Sequence, residues 1–490
     1  MLLLEQAIRT AWNQNDPRQL YTVANEGSDY GSLHVIRLAP GDGSLTIDWK
    51  DFDDAQAKTS TYVLEYRLRN EPDSAQRVSL SASFGSTTIS GLVNGADYEV
   101  FVEGRDPQSG TEPSVSPTRL FRPGSVPGTV INYIHPEDYT FGFSGRSPAS
   151  PSIVRLPDGN LLASHDIYWG LAGQNTSVVL RSRDEGVTWE YVTFLYPCFW
   201  GKLFLHRDRL YMIATGTEYG ALLIGRSDDG GETWSEPSVL IEAGSREKGG
   251  PHKAPMPVIE YKGRLWTGID YGSWSTGSHA SGLVSVPADA DLLDSASWTI
   301  MPFLPYDPNW PGAVVGDNKA GLLEGNAVVK PDGTLVNLLR YQTNGCTPSF
   351  GRAIMLAADT DRPAEPLVFH KVIDFYGNLS KFTVYHDPVS AKYWSLVNRV
   401  KGPNNGQRNI LTLVNSDDLE NWHIVKDILN YDDNGWPEDS KKVGFQYVDW
   451  IFSGDDIYVA SRTAINGAHN FHNANYLTFH RVDDFRTLSQ

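Results

Sequence analysis

Histidine, tyrosine, carboxylate and arginine side chains recur at matching points along the last two thirds of this sequence, and together they could move protons and hold an anion. His165, Asp166, His252, Glu324 and Tyr447 are the candidates for catalysis. Histidine titrates near neutrality, a carboxylate can act as a base or orient one, and tyrosine can serve as acid, base or nucleophile. Lys253, Asp270, Asn326, Arg340, Gln446, Arg462, His469 and His472 are the candidates for holding a ligand. A guanidinium in particular can grip a carboxylate through two parallel hydrogen bonds. Taken singly, a histidine beside a strand is more often a satisfied core residue than a catalyst, so the case rests on coincidence of position. No His or Cys pair has metal-ligand spacing, and no glycine-rich loop follows a parallel strand, so neither a metal nor a nucleotide cofactor is expected.

The elements that must position these residues announce themselves as a repeat. Ser182-Arg183-Asp184-Glu185-Gly186-Val187-Thr188-Trp189 and Ser227-Asp228-Asp229-Gly230-Gly231-Glu232-Thr233-Trp234 share the pattern Ser-x-Asp-x-Gly-x-Thr-Trp, 45 residues apart. Ser and Asp hydrogen-bond the nearby backbone of a turn, Gly takes a positive φ, and Trp buries its ring as the next strand begins. Degenerate copies stand at Asp294–Trp298 and Ser416–Trp422. Six strand–turn–strand units surround them, at Ser152–Ser164, Leu203–Ala214, Val258–Ile269, Ala327–Leu339, Phe382–Val397 and Val448–Ser461. At about 60 residues per unit, each fits one blade of a ring of four-stranded sheets, which leaves no open sheet edge. A seventh sheet is expected only if Tyr133–Phe143 forms one of its own.

The eight-residue pattern resembles the Asp box of the sialidase-like β-propellers, and the resemblance implies a glycosidase whose site lies on the propeller axis. Glu324 and Arg340, sixteen residues apart around Pro331-Asp332-Gly333, match the blade that supplies a glutamate and one arginine of that family's carboxylate-binding triad. Gln446-Tyr447 lies where the family places its tyrosine nucleophile. Two features depart from it. Ala149-Ser150-Pro151 stands where the Arg-Ile-Pro motif should be, and Gln174, Asn175 and Thr176 offer no counterpart to the acid/base aspartate. With histidines gained and these groups lost, the chain looks more like the propeller enzymes acting on glycans that contain uronic acids. The expected substrate is an oligo- or polysaccharide. A hydrolase releasing a sugar from an acidic glycan, a lyase cleaving beside a uronate, and a non-catalytic glycan-binding propeller all stay open, since the boxes themselves are structural.

Upstream, alternating strands between residues 33 and 122 carry Trp49, Tyr62-Val63-Leu64-Glu65-Tyr66, Asn94-Gly95 and Tyr98, and resemble a fibronectin type III domain. The resemblance makes Tyr98 a structural residue that closes a corner of the chain. The expected fold is therefore all-β, a six-bladed β-propeller preceded by a fibronectin type III-like sandwich. Residues 1–32 read as a short helical and connector segment, 33–122 as the sandwich, 123–130 as a linker and 131–490 as the propeller. With 41 basic against 59 acidic residues, the net charge of −18 disfavours nucleic acid and anionic membranes as partners. The N-terminal apolar run is too short for a signal peptide and no stretch would span a bilayer, so no membrane insertion is expected, while compartment and oligomeric state are left open.

Overall fold

The computed structural model describes Trp12 and residues 31–53, 61–80, 82–107, 112–169, 173–277, 279–316, 320–377, 379–401, 404–431 and 441–489. The expected helix near the N-terminus lies outside the described residues except for Trp12. That side chain is buried against the second propeller sheet, donating its indole N–H to the Pro197 carbonyl at 2.9 Å and meeting Trp234 edge-on. Among the described residues no helix is long and apolar enough to cross a membrane.

Residues 33–121 form two facing antiparallel sheets. One joins Leu33–Gly41, Ser44–Asp51 and Phe84–Ser90, and the other joins Gln76–Leu80, Thr61–Leu68 and Tyr98–Arg105 with two short edge strands. Alternation along each strand turns Leu45, Ile47, Trp49, Leu64, Val100 and Val102 into a common core, as the period of two requires. The Tyr98 hydroxyl accepts the Val93 N–H at 3.0 Å and ties the turn before its strand back to it.

Six four- to five-stranded antiparallel sheets follow. Their first strands lie at Ser147–Arg155, Phe199–His206, Gly250–His252 with Val258–Tyr261, Gly321–Val329, Thr383–Asp387 and Gly444–Ser453. An apolar cluster separates each sheet from the next. Leu162 and Met212 share the cluster between the first two, Ile224 and Leu265 the next, then Leu283 and Leu335, Val336 and Val397, and Leu396 and Trp450. The last cluster joins Tyr458 and Leu477 of the sixth sheet to Ile153 and Leu161 of the first, which closes the ring into a β-propeller. Closure is clasped by backbone hydrogen bonding of Thr129–Tyr133, which pairs with Tyr476–Val482 as the fourth strand of the sixth sheet. The expected linker is therefore shorter than 123–130, because its last two residues already belong to that strand.

The turns bearing the repeated pattern saturate their own carboxylates. Asp184 accepts from Ser182 Oγ, Thr188 N and Thr188 Oγ1 at 2.9, 2.8 and 2.6 Å, and Asp229 does the same with Ser227 and Thr233. Trp189 and Trp234 are buried, their indoles donating to the Gly186 and Gly231 carbonyls. A Cβ on Gly186 would meet the Phe479 ring at 2.2 Å at a φ of +86°, so only glycine fits that turn. The degenerate copy at Ser416–Trp422 keeps the same bonds, with Leu419 at φ +67° in the place of a glycine.

The sandwich is docked rather than tethered. Tyr133, Ile465 and Tyr476 of the propeller share its core, buried Arg37 donates to the Ile131 carbonyl at 2.6 Å, and Arg119 pairs with Asp138 at 2.6 Å.

Candidate active site

Four of the six first strands carry a bulge at the same height. Register slips between Ala149 and Ser152, Phe199 and Lys202, Leu323 and Asn326, and Gln446 and Asp449. In each bulge one non-glycine residue sits in the left-handed region: Ser150, Trp200, Glu324 and Tyr447, at φ of 47°, 54°, 54° and 54°. A bulge re-aims the side chain it carries, and left-handed non-glycine residues cost energy that the surroundings must offset. Here carboxylates hold the bulges. Asp270 Oδ2 accepts the Glu324 N–H at 2.7 Å, Asp166 accepts the Trp200 N–H at 2.7 Å, and Asp449 accepts the Ile153 N–H at 2.9 Å. Beside Glu324, a Cβ on Gly325 would lie 2.0 Å from Asn337 Oδ1, so the strand can approach its neighbour there only as glycine.

The bulges of the fourth and sixth sheets bring Glu324 and Tyr447 together. Tyr447 Oη donates to Glu324 Oε1 at 2.8 Å, and Arg340 Nη1 donates to both Glu324 Oε2 and Tyr447 Oη at 2.9 Å. Arg340 reaches them because it pairs across the hairpin with Leu323, the residue before Glu324. Two further guanidiniums flank the tyrosine ring, Arg462 at 5.2 Å and Arg408 at 5.5 Å from its centroid. Arg462 also donates to Tyr168 Oη at 2.9 Å, and Arg408 to Gln446 Oε1 and the Leu379 carbonyl. The Nε atoms of Arg340, Arg408 and Arg462 are all buried without a partner among the described residues.

Electrostatics follow from this crowding. Burial alone would raise the Glu324 carboxyl, but Arg340, then His252, then the two hydrogen bonds hold it below its ordinary value. Burial and Glu324 raise the Tyr447 phenol against the pull of the three arginines. Desolvation lowers Arg408 to about 10, with Arg340 and Arg462 adding to it. The resting state is thus a carboxylate accepting a hydrogen bond from a neutral phenol in a strongly cationic surround.

On the third-sheet side, His252 Nδ1 faces Asp270 Oδ2 at 3.4 Å, so one carboxylate orients the imidazole and anchors the Glu324 backbone. The imidazole packs edge-on to Trp200 at 4.5 Å and lies 4.3 Å from the His279 ring. Burial pushes His279 down to about 2, with His252 and Arg340 acting in the same direction, so it stays neutral.

Of the residues expected from sequence, His252, Glu324, Arg340, Tyr447 and Arg462 converge, with Asp270 behind them. Gln446 is adjacent but engaged, holding Arg408 and the Phe471 carbonyl. His472 reaches the rim, its Nδ1 2.6 Å from Tyr168 Oη, while exposed His469 packs on Trp169 at 4.8 Å. Four expectations are corrected. His165 faces the ring closure: Asn132 Nδ2 donates to its Nε2 at 2.8 Å and its Nδ1 meets the Asp166 carbonyl at 3.1 Å, while burial lowers it to about 4. Asp166 accepts from Ser177 Oγ at 2.5 Å besides the Trp200 N–H, and burial raises it to about 7, which suits an anchor of the second-sheet bulge. Lys253 spends its ammonium on the Trp200, Ile213 and Ala254 carbonyls. Asn326 bridges the fourth and fifth sheets through Phe382 O and Val384 N.

Arg408, Trp200, Tyr168 and His279 were not anticipated. Arg408 has a signal: Gln407-Arg408-Asn409 precedes the third strand of the fifth unit, the one repeat besides the second from which no edge residue was drawn. Among the described residues no group of three His, Cys, Asp or Glu side chains is placed to hold a metal ion, and the buried Cys198 and Cys346 form no disulfide.

No family model matches the chain, and no curated protein matches it. Among solved structures it is similar to the α-L-arabinanase of Penicillium chrysogenum complexed with arabinobiose, at 14% identity and a TM-score of 0.48 over 74% of this chain and 99% of that one. It is also similar to a leech intramolecular trans-sialidase, at 12% and 0.48 over 94% and 93%, and to the NanB sialidase of Streptococcus pneumoniae, at 11% and 0.46 over 97% and 98%. At these scores the likeness carries nothing about activity.

Proposed function

We propose that the chain is a glycoside hydrolase that releases a carboxylate-bearing sugar, with Tyr447 as nucleophile. The carrying observation is the Tyr447 Oη to Glu324 Oε1 hydrogen bond with Arg340 bridging both oxygens. Tyr447 attacks the anomeric carbon while its phenolic proton passes to Glu324, and the bond to the leaving oxygen breaks. A neutral nucleophile suits a sugar whose own carboxylate would repel an aspartate or glutamate, the known exception to paired-carboxylate glycosidases. Because the phenol is raised and the carboxylate lowered, the proton moves with the attack rather than before it.

His252, oriented by Asp270, protonates the leaving oxygen and then, neutral, takes a proton from the water that attacks the anomeric carbon, while the glycosyl-tyrosine bond breaks and Glu324 returns the phenolic proton to Tyr447. The sugar is released with its anomeric configuration retained. Arg340, Arg408 and Arg462 supply the cationic surround for the substrate carboxylate, where preorganised donors in a water-poor site act most strongly. The fibronectin type III-like sandwich acts as a docked support for the ring closure rather than as part of the site.

The His252–Asp270 pair favours one second reading, a lyase in which His252 removes the proton beside a uronate carboxylate and Tyr447 protonates the leaving oxygen. A panel of acidic glycans separates the outcomes. Hydrolysis yields new reducing ends without near-ultraviolet absorbance, elimination yields that absorbance, and binding without either product removes both enzymatic readings.

A further inference from the structure

We infer that Lys381 is a positioning residue for Tyr447: it holds the carbonyl of Val448, the residue after the phenol, and so sets where the bulge aims the hydroxyl. The inference rests on the reading of Tyr447 as the group that acts on the substrate, and adds a residue from a sheet that carries neither Tyr447 nor Glu324.

Geometry comes first. Lys381 is buried and lies two residues before Thr383–Asp387, the first strand of the fifth sheet. Its Nζ donates to the Val448 carbonyl at 2.7 Å, and Thr383 Oγ1 donates to the same oxygen at 3.2 Å. Val448 stands inside the register slip between Gln446 and Asp449, where the backbone leaves the regular ladder. The bulges of the second and fourth sheets are held through N–H groups, by Asp166 and Asp270. The bulge of Tyr447 is held at the opposite pole, a carbonyl against an ammonium. Tyr447 itself sits at φ 54°, a conformation that persists only where its surroundings enforce it. The Leu379 carbonyl accepts from Arg408 at 2.9 Å, so one short stretch, 379–383, sets both the phenol and a guanidinium beside it.

Charge comes second. Burying an ammonium is costly, and a neutral donor could also hold a carbonyl. Burial lowers Lys381 to about 8 against the pull of Asp449 on the sixth sheet, with Lys202 of the second sheet lowering it further and Glu324 of the fourth raising it. It is therefore charged at neutral pH. Lys253 of the third sheet, lowered to about 7 chiefly by burial, feels the same charge. Neither carboxylate depends on Lys381 for its pairing, since Glu324 meets Arg340 at 2.9 Å and Asp449 meets Lys202 at 2.5 Å. Removing the Lys381 charge strands no carboxylate and relieves a burial cost, so a positioning role and a stabilising role predict different outcomes.

Lys381→Met and Thr383→Val, with Asp184→Ala at the rim as the control, test this on the acidic glycan that the wild type turns over. Expected for Lys381→Met is a kcat lower by about a hundredfold, the scale of misplacing a reacting group by roughly 1 Å. KM should stay within about threefold, because Arg340, Arg408 and Arg462 still surround the substrate carboxylate, and the melting temperature should be unchanged or raised. Thr383→Val removes only the second donor and should lower kcat by about threefold to tenfold, the scale of one hydrogen bond, again at constant KM. It decides the matter if Lys381→Met does not fold. A Lys381→Met protein that melts lower but keeps wild-type kcat in its folded fraction, or a loss that falls on KM in both variants, overturns the inference. If the wild type turns over no acidic glycan, the reading of Tyr447 fails instead, and the aim of the phenol is read directly. Fluorotyrosine placed at residue 447 should then show a fluorine resonance that Lys381→Met displaces and Asp184→Ala does not, and a resonance unmoved by Lys381→Met overturns the inference.

Discussion

Carboxylates do opposite work at the rim and at the axis of this propeller. At the rim, Asp184 and Asp229 meet donors no more than four residues away, and their oxygens are satisfied by their own turns. At the axis, Glu324 meets Arg340 sixteen residues on and Tyr447 123 residues on, and the set includes buried guanidinium atoms with no partner among the described residues. A group whose bonds are complete within its own turn stabilises; a group held by distant elements, with donors to spare, is arranged for something that is not part of the chain. The difference teaches that no one of residue type, burial and partner separation identifies the site here; a carboxylate held from distant elements beside buried donors left over among the described residues does.

The sharpest way to break this comparison is at the axis. Tyr447→Phe should cut turnover by about a thousandfold, the scale of losing an essential proton-transfer or nucleophilic group, with thermal stability nearly unchanged. Circular dichroism melting beside steady-state rates decides it, and a folded Phe variant of ordinary activity would remove Tyr447 from the chemistry.

A smaller effect is expected of Arg340→Lys, which keeps the charge but not the forked geometry that serves Glu324, Tyr447 and Gln342 together. A tenfold to hundredfold fall in kcat/KM is expected, on the order of one to two charge-assisted hydrogen bonds. The pH profile should move as well. Glu324 must be ionised to accept a proton, so activity is present above its pKa and lost as pH falls through it. Because Arg340 is the foremost group holding that pKa down, the acidic limb of the wild type should lie below the ordinary carboxylate range and shift upward in the lysine variant. An unmoved limb would mean that Glu324 is not the group being titrated.

His165→Ala tests the same contrast from within the core. Its partners are Asn132 and the Asp166 carbonyl, so the loss should appear as roughly 1–3 kcal/mol of stability, the cost of leaving a buried amide unsatisfied. Turnover of the folded fraction should stay within a few fold, measured below the melting transition. A hundredfold loss of turnover at full stability would return His165 to the catalytic set. The smallest effect belongs to the rim: Asp184→Ala should cost about 1 kcal/mol in denaturant titration and leave kcat untouched.

These cases also show what could be read from the chain. The rim turns were fully legible, including both buried tryptophans, because every partner lies within one eight-residue pattern. The Glu324 and Arg340 pair was legible because sixteen residues is the length of one hairpin, so a linear spacing maps onto a cross-strand contact. His165 was misread because its partner, Asn132, arrives on the strand that closes the ring from the other end of the propeller, a pairing that no local pattern encodes. Asp166 was misread with it, since a carboxylate beside a histidine looks catalytic until the bulge it anchors is seen. Arg408 was missed because it precedes its strand and enters the cluster only through the packing of the fifth sheet beside the sixth, where it meets Gln446 and Tyr447. The bulges themselves, which aim Glu324 and Tyr447, rest on left-handed backbone at residues that do not advertise it.

The central claim is that Tyr447, poised on Glu324 and surrounded by three arginines, forms the bond to the sugar. Incubation with a fluorine-deactivated glycosyl fluoride of an acidic sugar, followed by intact-mass measurement and peptide mapping, tests it most directly. The account predicts one added glycosyl group, located on Tyr447 and absent in Tyr447→Phe. A glycosyl group on a carboxylate, or an active enzyme that never accumulates one, would contradict it.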